Sequence, residues 1–239
     1  YFSLGYIPSP KSIFRNIQKL PPGYWLLQTP KKTVIQQYWD LSFNINRSLS
    51  ENQWCNRLTD ILTESVNLRL ISDVPLGSFL SGGVDSSVIV GVMAGLTSAP
   101  VITNSIGFPI ETFNELEAAK ETALYFKTNH NEFVVTPNAI EIVSNLNDYY
   151  DEPFADASAI PTYYVSKMAR EKVTVALSGD GGDENFAGYR RYYFDRLEND
   201  IRKAIPVGIR RGLLGSISKV YPKADWLPQI FRAKTLLTN

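Results

Sequence analysis

Short apolar segments alternate with longer, mixed segments along the chain between positions 74 and 177. The short segments have the length and the β-branched content of buried strands, and they predict strands over Leu76–Leu80, Val101–Ile106, Glu132–Val135 and Val173–Leu177. The longer segments predict helices over Ser86–Leu96, Asn114–Phe126, Ala139–Leu146 and Ile160–Arg170. This alternation predicts an α/β fold, a doubly wound parallel sheet with helices on both faces.

The first 40 residues have a different pattern. Turn residues precede two short segments, Gly23–Leu27 and Thr33–Tyr38, which predict a β-hairpin. A linker follows, and Ser50-Glu-Asn-Gln53 has the capping-box pattern that opens a helix. One face of that helix would carry the apolar residues Trp54, Leu58, Ile61, Leu62 and Val66. We therefore expect two parts, residues 1–40 and residues 41–239.

Composition narrows the class of protein. A net charge of zero over 239 residues argues against an electrostatically driven nucleic-acid binder. The single cysteine, Cys55, excludes an internal disulfide framework, and the single histidine, His130, excludes a multi-histidine metal site. We expect Cys55 to be packed and His130 to lie at the surface. No apolar run approaches the roughly 18 residues of a membrane helix, and no signal peptide is visible, so we expect a cytoplasmic location.

One loop has the chemistry of an anion site. Ser81-Gly-Gly-Val-Asp-Ser-Ser87 lies between a predicted buried strand and a predicted helix. Its glycines and hydroxyl residues allow successive N–H groups to face an anion, and a helix N-terminus adds partial positive charge. Asp85 would repel a phosphate unless a divalent cation lay between them, which favours magnesium–nucleotide chemistry. The Walker pattern GxxxxGK[ST] is absent.

A second loop, Ser178-Gly-Asp-Gly-Gly-Asp-Glu184, also follows a predicted strand and leads to Gly188-Tyr189. The first loop resembles the SGGxDS pyrophosphate loop of the ATP pyrophosphatases, which cleave ATP between the α and β phosphates. The second resembles the SG[ED]G[GS]DE signature of the glutamine-hydrolysing, class B asparagine synthetase family. Three segments between the loops match landmarks of that family in the same order: Ser105–Phe108, Phe113–Glu115 and Asp151–Phe154.

The resemblance implies a fold of the ATP-pyrophosphatase type and a site for ATP and Mg²⁺. The residues that it places on the β and γ phosphates are Ser81, Gly82, Gly83, Ser86 and Ser87. Mg²⁺ would be held by Asp85 and Asp183, with Glu184 in support of the metal shell.

The same resemblance assigns the remaining site residues. Adenine would meet strand-end backbone groups at Phe79 and Ile106, and the second loop would contact the nucleotide through Ser178 and Gly179. Asp180, at a position where the family often has glutamate, would be the catalytic residue, as an acid/base or electrostatic group beside the acyl-adenylate.

The reaction implied by the resemblance is a two-step amide synthesis. The aspartate side chain would attack ATP to give β-aspartyl-AMP and pyrophosphate, and ammonia would then release asparagine and AMP. Residues 1–39 resemble the end of the family's glutaminase domain, whose N-terminal cysteine nucleophile is absent here, and the chain ends in a predicted helix, Ile230–Leu237. We therefore expect a fragment of a longer protein that contains a glutaminase domain; a homodimer is one option for its assembly.

Plainer interpretations stay open beside these. Ser81–Ser87 alone could be a tight turn with Asp85 as a helix cap, and Asp183 and Glu184 could be a charge pair at a helix N-terminus. Glu152 could contact substrate or belong only to a turn. Asn114 stands where the family commonly has an acid. The alternatives to asparagine synthesis are an adenylating amidotransferase for another carboxylate (glycan, peptide or β-amino acid) and a non-catalytic nucleotide-binding subunit.

Overall fold

The computed structural model describes residues 1–109, 115–136, 142, 146 and 148–204. The chain divides into two compact units, the first Tyr1–Gly179 and the second beginning at Asp180. Most of the helix predicted over Ala139–Leu146 and all of the helix predicted over Ile230–Leu237 lie outside the described residues. Asn114 lies outside them as well. The expected boundary at residue 40 stays a prediction.

The first unit contains a four-stranded sheet in which every neighbouring pair is parallel. Its strand order is β5-β4-β3-β6, so the chain starts in the interior of the sheet and adds strands on both sides. The strands are β3 (Leu76–Phe79), β4 (Ile102–Gly107), β5 (Asn129–Val134) and β6 (Val175–Leu177). The predicted parallel α/β architecture is confirmed, and each predicted strand is present within three residues of its expected start.

The predicted hairpin is also present. Strands β1 (Tyr24–Gln28) and β2 (Thr33–Gln37) pair antiparallel, in the register Leu26 opposite Ile35. Both side chains of that pair are about half exposed. The hairpin forms its own two-stranded sheet and does not extend the parallel one.

Helices connect the parallel strands. Those of the first unit are α1 (Glu51–Arg69), α2 (Val84–Leu96), α3 (Leu116–Phe126) and α4 (Ala159–Ala169). The capping box that opens α1 is complete, because the Ser50 hydroxyl accepts from the Gln53 N–H while the Gln53 side chain accepts from the Ser50 N–H. Of the apolar face predicted for α1, only Val66 is buried, and Trp54, Leu58 and Ile61 are exposed. None of the helices in the described part of the chain is long and apolar enough to cross a membrane.

The core lies between the sheet and its helices in two clusters. In one, Leu80 from the end of β3 packs with Val90 of α2 and Ala119 and Ala123 of α3. In the other, Val66, Met93 and Val101 are buried together. Leu76 and Leu80 point to this helical face, and because side chains alternate along a strand, Phe79 points to the other face, toward α4. The sheet is therefore covered on both faces near the ends of β3 and β4.

The second unit contains two helices in its described part. A five-residue helix, α5 (Gly182–Phe186), follows Gly181, whose φ of 91° lies in the left-handed region that glycine adopts without strain. Ala187 ends α5 with a φ of 56°, and α6 then spans Arg190–Ala204.

Candidate functional site

The first loop lies at the carboxyl end of the parallel sheet. β3 ends at Phe79, and α2 begins at Val84 rather than at the predicted Ser86, so Asp85 and Ser86 belong to the first turn of the helix. The earlier start is possible because Gly83 takes the extended N-cap conformation immediately after the Gly-Gly pair. Open parallel sheets bind ligands at this edge, and the first-turn N–H groups of a helix have no intrahelical acceptor. The loop is therefore placed as an anion site requires.

Side-chain oxygens hold the backbone of this loop in shape. The Ser81 N–H donates to Ser86 Oγ at 3.1 Å, and the Gly83 N–H donates to Ser81 Oγ at 3.2 Å. The Gly82 N–H donates to Glu115 Oε2 at 3.3 Å, so a carboxylate contacts one donor of the predicted phosphate cradle. Ser86 is buried, and its hydroxyl lies 2.8 Å from that of Ser81. The Ser86 hydroxyl thus serves the loop itself, in addition to any role toward a ligand.

Two glycines set how closely the loops approach. A Cβ on Gly82 would lie 2.8 Å from the Ala118 side chain, so the first loop touches α3 too closely for any side chain. A Cβ on Gly179 would lie 2.6 Å from the Ser86 nitrogen and 2.7 Å from the Asp85 carbonyl carbon. The structure therefore brings Gly179 against the first turn of α2.

A pocket of about 360 Å³ opens where β3 and β4 end. It brings together three of the predicted site residues, Phe79, Ser81 and Ile106. The other lining residues come from the strand ends, α3 and α4: Leu80, Asn104, Ser105, Phe108, Glu115, Ala119, Pro161, Thr162 and Val165. Its volume falls in the range of small-molecule sites, and most of its walls are apolar with a few polar groups.

Other predicted residues lie on a different side of the loop. Gly82, Gly83 and Ser87 line a second hollow of about 640 Å³ among α1, α2 and α3. Ser87 Oγ donates to the Gly83 carbonyl at 2.8 Å. The predicted phosphate residues are thus divided between two hollows, with the Gly-Gly turn between them.

Asn104 and Glu115 line the pocket but are not among the predicted site residues. A polar residue inside the apolar strand Val101–Ile106 was a visible signal for Asn104. Glu115 belongs to a segment that the family resemblance had already marked, but its bond to Gly82 depends on how α3 packs, which no local pattern gives.

The second loop's acids belong to the second unit. Asp180 precedes α5, and Asp183 and Glu184 lie in its first turn. The Tyr189 hydroxyl donates to Glu184 Oε1 at 2.6 Å, which raises the pKa of Tyr189 to about 12 and lowers the pKa of Glu184. Glu184 is therefore already engaged by a hydrogen bond within the second unit.

Glu152 has a structural task in this fold. Its carboxylate pairs with Lys19 and accepts the Ile13 N–H at 3.2 Å. Nearby, the Ala155 N–H donates to the Gly5 carbonyl at 2.8 Å. These contacts join the segment before the hairpin to residues 152–155, which favours the structural interpretation of Glu152 over substrate contact.

Two expectations about single residues are wrong. The side chain of His130 is only 10% exposed, because it lies on β5 beside β4. The Nδ1 of His130 lies 2.9 Å from the buried Thr103 hydroxyl. Burial lowers the pKa of His130, against a smaller raising effect of Glu132. Cys55 is exposed, because the first turns of α1 are not covered.

The donor set for a metal ion is incomplete without a ligand. In the described ranges, no three His, Cys, Asp or Glu side chains come together as a metal site. Mg²⁺ in nucleotide enzymes uses one or two carboxylates together with substrate phosphates and water. Asp85, in the first turn behind the anion loop, has the chemistry for one such carboxylate. The residues present therefore fit an ion that arrives with a polyphosphate.

Fold and site together define a class of protein: a parallel α/β protein with a glycine- and serine-rich loop and an adjoining apolar pocket at the carboxyl ends of its strands. The family model described as asparagine synthase matches residues 57–238. The chain belongs to the asparagine synthase family.

Its relatives agree with this membership. Asparagine synthetase 1 (glutamine-hydrolyzing) of Bacillus subtilis is 35% identical over 241 residues, which is 99% of this chain and 36% of the relative. A Methanocaldococcus jannaschii relative assigned as asparagine synthetase 2 (glutamine-hydrolyzing) is 41% identical over 207 residues, 85% of this chain and 40% of the relative. The chain thus spans about two fifths of the length of these proteins.

More distant similarities also exist. The protein named Amidase chyE from Penicillium rubens is 26% identical over 251 residues, 90% of this chain and 37% of the relative. Among solved structures, NMN synthetase from Francisella tularensis matches with a TM-score of 0.39 and 16% identity over 59% of each chain. A TM-score at this level carries no argument about this chain.

Proposed function

We propose that this chain is the ATP-activating part of an amide-forming ligase that makes asparagine from aspartate and ammonia. The observation that carries the proposal is the anion loop Ser81–Ser87 between β3 and α2, beside a base-sized pocket that contains Phe79 and Ile106. Family membership supports the same chemistry, since relatives of this chain are named glutamine-hydrolyzing asparagine synthetases.

ATP would bind with its base against Phe79 and Ile106 and with its phosphates on the loop. The N–H groups of Ser81, Gly82 and Gly83 now donate to side-chain oxygens, and we propose that phosphate oxygens take over some of these donors. Glu115 would have to leave Gly82 for this exchange, because its carboxylate would repel a phosphate oxygen at the same donor. The hydroxyls of Ser86 and Ser87 would complete the cradle.

Asp85 and Asp183 would hold Mg²⁺, which when bound neutralises part of the charge on the departing pyrophosphate. The protein's own part is positioning. The loop would align the α phosphorus with the incoming carboxylate while Ser178 and Gly179 contact the nucleotide from the other side. Close approach of Gly179 to Asp85 supports contact of both residues with one nucleotide.

In the first step, a side-chain carboxylate oxygen of aspartate would form a bond to the α phosphorus as the bond to pyrophosphate breaks. In the second step, ammonia would attack the activated carbonyl, lose a proton and displace AMP. Asp180 is the residue that we propose beside this acyl-adenylate, to accept that proton or to stabilise the ammonium as it forms.

Ammonia would come from a glutaminase domain in the full-length protein, since the relatives of this chain are named as glutamine-hydrolyzing enzymes. Residues 1–40 would be the end of that domain and residues 41–239 the synthetase part. We expect this reaction in the cytoplasm, where ATP and aspartate are available, and we leave a homodimer as one option for the assembly.

A second candidate function has its own observation. A relative named as an amidase, Amidase chyE, aligns over 90% of this chain. The same adenylation chemistry could therefore serve another carboxylate, such as a glycan acid, a peptide or a β-amino acid. A non-catalytic nucleotide-binding subunit would keep the pocket without releasing pyrophosphate.

Carboxylate-dependent exchange of labelled pyrophosphate into ATP separates these functions. Exchange that requires aspartate supports the asparagine synthetase function, and exchange that requires a different acid from the panel assigns the second function. Binding of Mg-ATP without exchange for any acid would favour the non-catalytic subunit.

A further inference from the structure

The pocket at the end of β4 contains a polar side chain that the fold does not use. Asn104 is fully buried, and neither its Oδ1 nor its Nδ2 has a hydrogen-bond partner in the described part of the chain. Its buried neighbours differ in this respect. The Thr103 hydroxyl lies 2.8 Å from that of Thr128, and the Ser105 hydroxyl donates to the Leu80 carbonyl.

A buried amide without partners destabilises a folded protein, and an apolar residue of the same size would avoid that penalty. The nearest amide by strand register, Asn131 on β5, does not relieve it. Its Nδ2 donates to the Thr103 and Asn129 carbonyls at 3.3 and 3.4 Å. Among the described residues none supplies a partner for Asn104, and the pocket that it lines gives a ligand access to this position.

The surroundings of Asn104 specify the chemistry of such a ligand. Phe79 is its register partner on β3, and Ile106 lies two residues further along β4, so all three side chains share one face of the sheet. All three line the pocket, together with Phe108. Flat apolar walls with one acceptor and one donor at their edge suit a heteroaromatic ring that offers a donor beside an acceptor.

We propose that Asn104 determines the base specificity of the nucleotide pocket. Its Oδ1 accepts from the 6-amino group of adenine, and its Nδ2 donates to N7. An asparagine amide pairs with adenine in this bidentate manner in other proteins that read bases. Guanine presents acceptors at both O6 and N7, so neither orientation of the amide can pair with both positions.

This inference rests on the proposed function, because it needs a nucleotide in the pocket. It goes beyond that function by making a side chain, and not only strand-end backbone groups, responsible for the choice of base. The amide has no exposed surface before binding, so contact requires a small adjustment of the pocket wall, as is common when ligands bind.

The test compares affinities for Mg-ATP and for Mg-purine riboside triphosphate, which lacks only the 6-amino group. In the unmodified protein, loss of the amino group weakens binding about 5- to 150-fold, the range for one bidentate pair. In Asn104→Leu, Mg-ATP binds correspondingly less tightly, and removal of the amino group has no further effect. Preference for Mg-ATP over Mg-GTP falls in the same variant.

Asn131→Leu is the matched control, because its amide bonds to main-chain carbonyls and the residue does not line the pocket. Asn131→Leu keeps the ratio of the affinities for Mg-ATP and Mg-purine riboside triphosphate that the unmodified protein shows. If Asn104→Leu does not fold, the unmodified protein still decides, since equal affinity for ATP and its deamino analogue overturns the inference. So does an Asn104→Leu variant with unchanged affinity ratios. Failure of the unmodified protein to bind Mg-ATP at all instead refutes the proposed function.

Discussion

The contact between Gly179 and α2 gives a sharp test of how the two loops are arranged. An alanine Cβ at position 179 would lie 2.6 Å from the Ser86 nitrogen, 2.7 Å from the Asp85 carbonyl carbon and 2.9 Å from the Asp85 Cβ. Ordinary contact begins at 3.4 Å, so the shortest of these distances is about 0.8 Å too small. Two of the three atoms are backbone, so the side chain cannot simply rotate away.

The second loop would therefore have to move from the first by most of an ångström. Overpacking of this kind costs about 1–3 kcal/mol of folding free energy. The rate of pyrophosphate exchange should also fall, because a displacement of about 1 Å in a reacting site can reduce the rate roughly 100-fold.

The assay has two parts, urea unfolding and pyrophosphate exchange. Gly95→Ala is the matched control, because a Cβ at Gly95, near the end of α2, meets nothing within 4 Å. That control should gain about 0.5–1 kcal/mol from the helix preference of alanine and keep its exchange rate. Gly179→Ala with the stability and exchange rate of the unmodified protein would refute the arrangement of the loops described above.

Two further predictions concern stability. Lys127 ends α3 with a φ of 54°, a left-handed conformation that strains a non-glycine residue. Lys127→Gly should therefore raise the free energy of unfolding by about 1 kcal/mol in urea, and a decrease would contradict this. Burial lowers the pKa of His130 below its ordinary value of 6.5, so the unfolded chain binds the proton more readily than the folded one. The free energy of unfolding should therefore be highest above pH 6.5 and fall as the pH decreases toward the lowered pKa. The variant His130→Gln should lose this pH dependence, and an unchanged pH profile in the variant would refute the reasoning.

Local patterns in the sequence predict much of this fold. The capping box at Ser50 and the turn between the hairpin strands involve residues close in sequence, so their chemistry is visible before any folding is known. The strand–loop–helix order around Ser81–Ser87 likewise follows from the apolar run of β3 and the Gly-Gly pair. A parallel sheet then follows from alternation of strands and helices.

Long-range contacts account for what the sequence did not predict. The bond from Gly82 to Glu115 joins residues 33 apart, and it exists because α3 packs against the Gly-Gly turn. His130 was expected at the surface, but β5 begins at Asn129, three residues before the predicted strand, and this places the ring against the Thr103 hydroxyl of the next strand. Within the described residues Asn104 has no hydrogen-bond partner, because the amide and hydroxyls of its neighbours bond elsewhere, which depends on strand register.

The central claim is that the loop after β3 binds Mg-ATP for attack by a carboxylate. The most direct measurement is aspartate-dependent pyrophosphate exchange in the unmodified protein and in Asp85→Asn, with Asp60→Asn on the exposed side of α1 as the control. We predict exchange in the unmodified protein and in Asp60→Asn, and none above background in Asp85→Asn, whose unfolding transition should stay unchanged. Undiminished exchange in Asp85→Asn would contradict the claim.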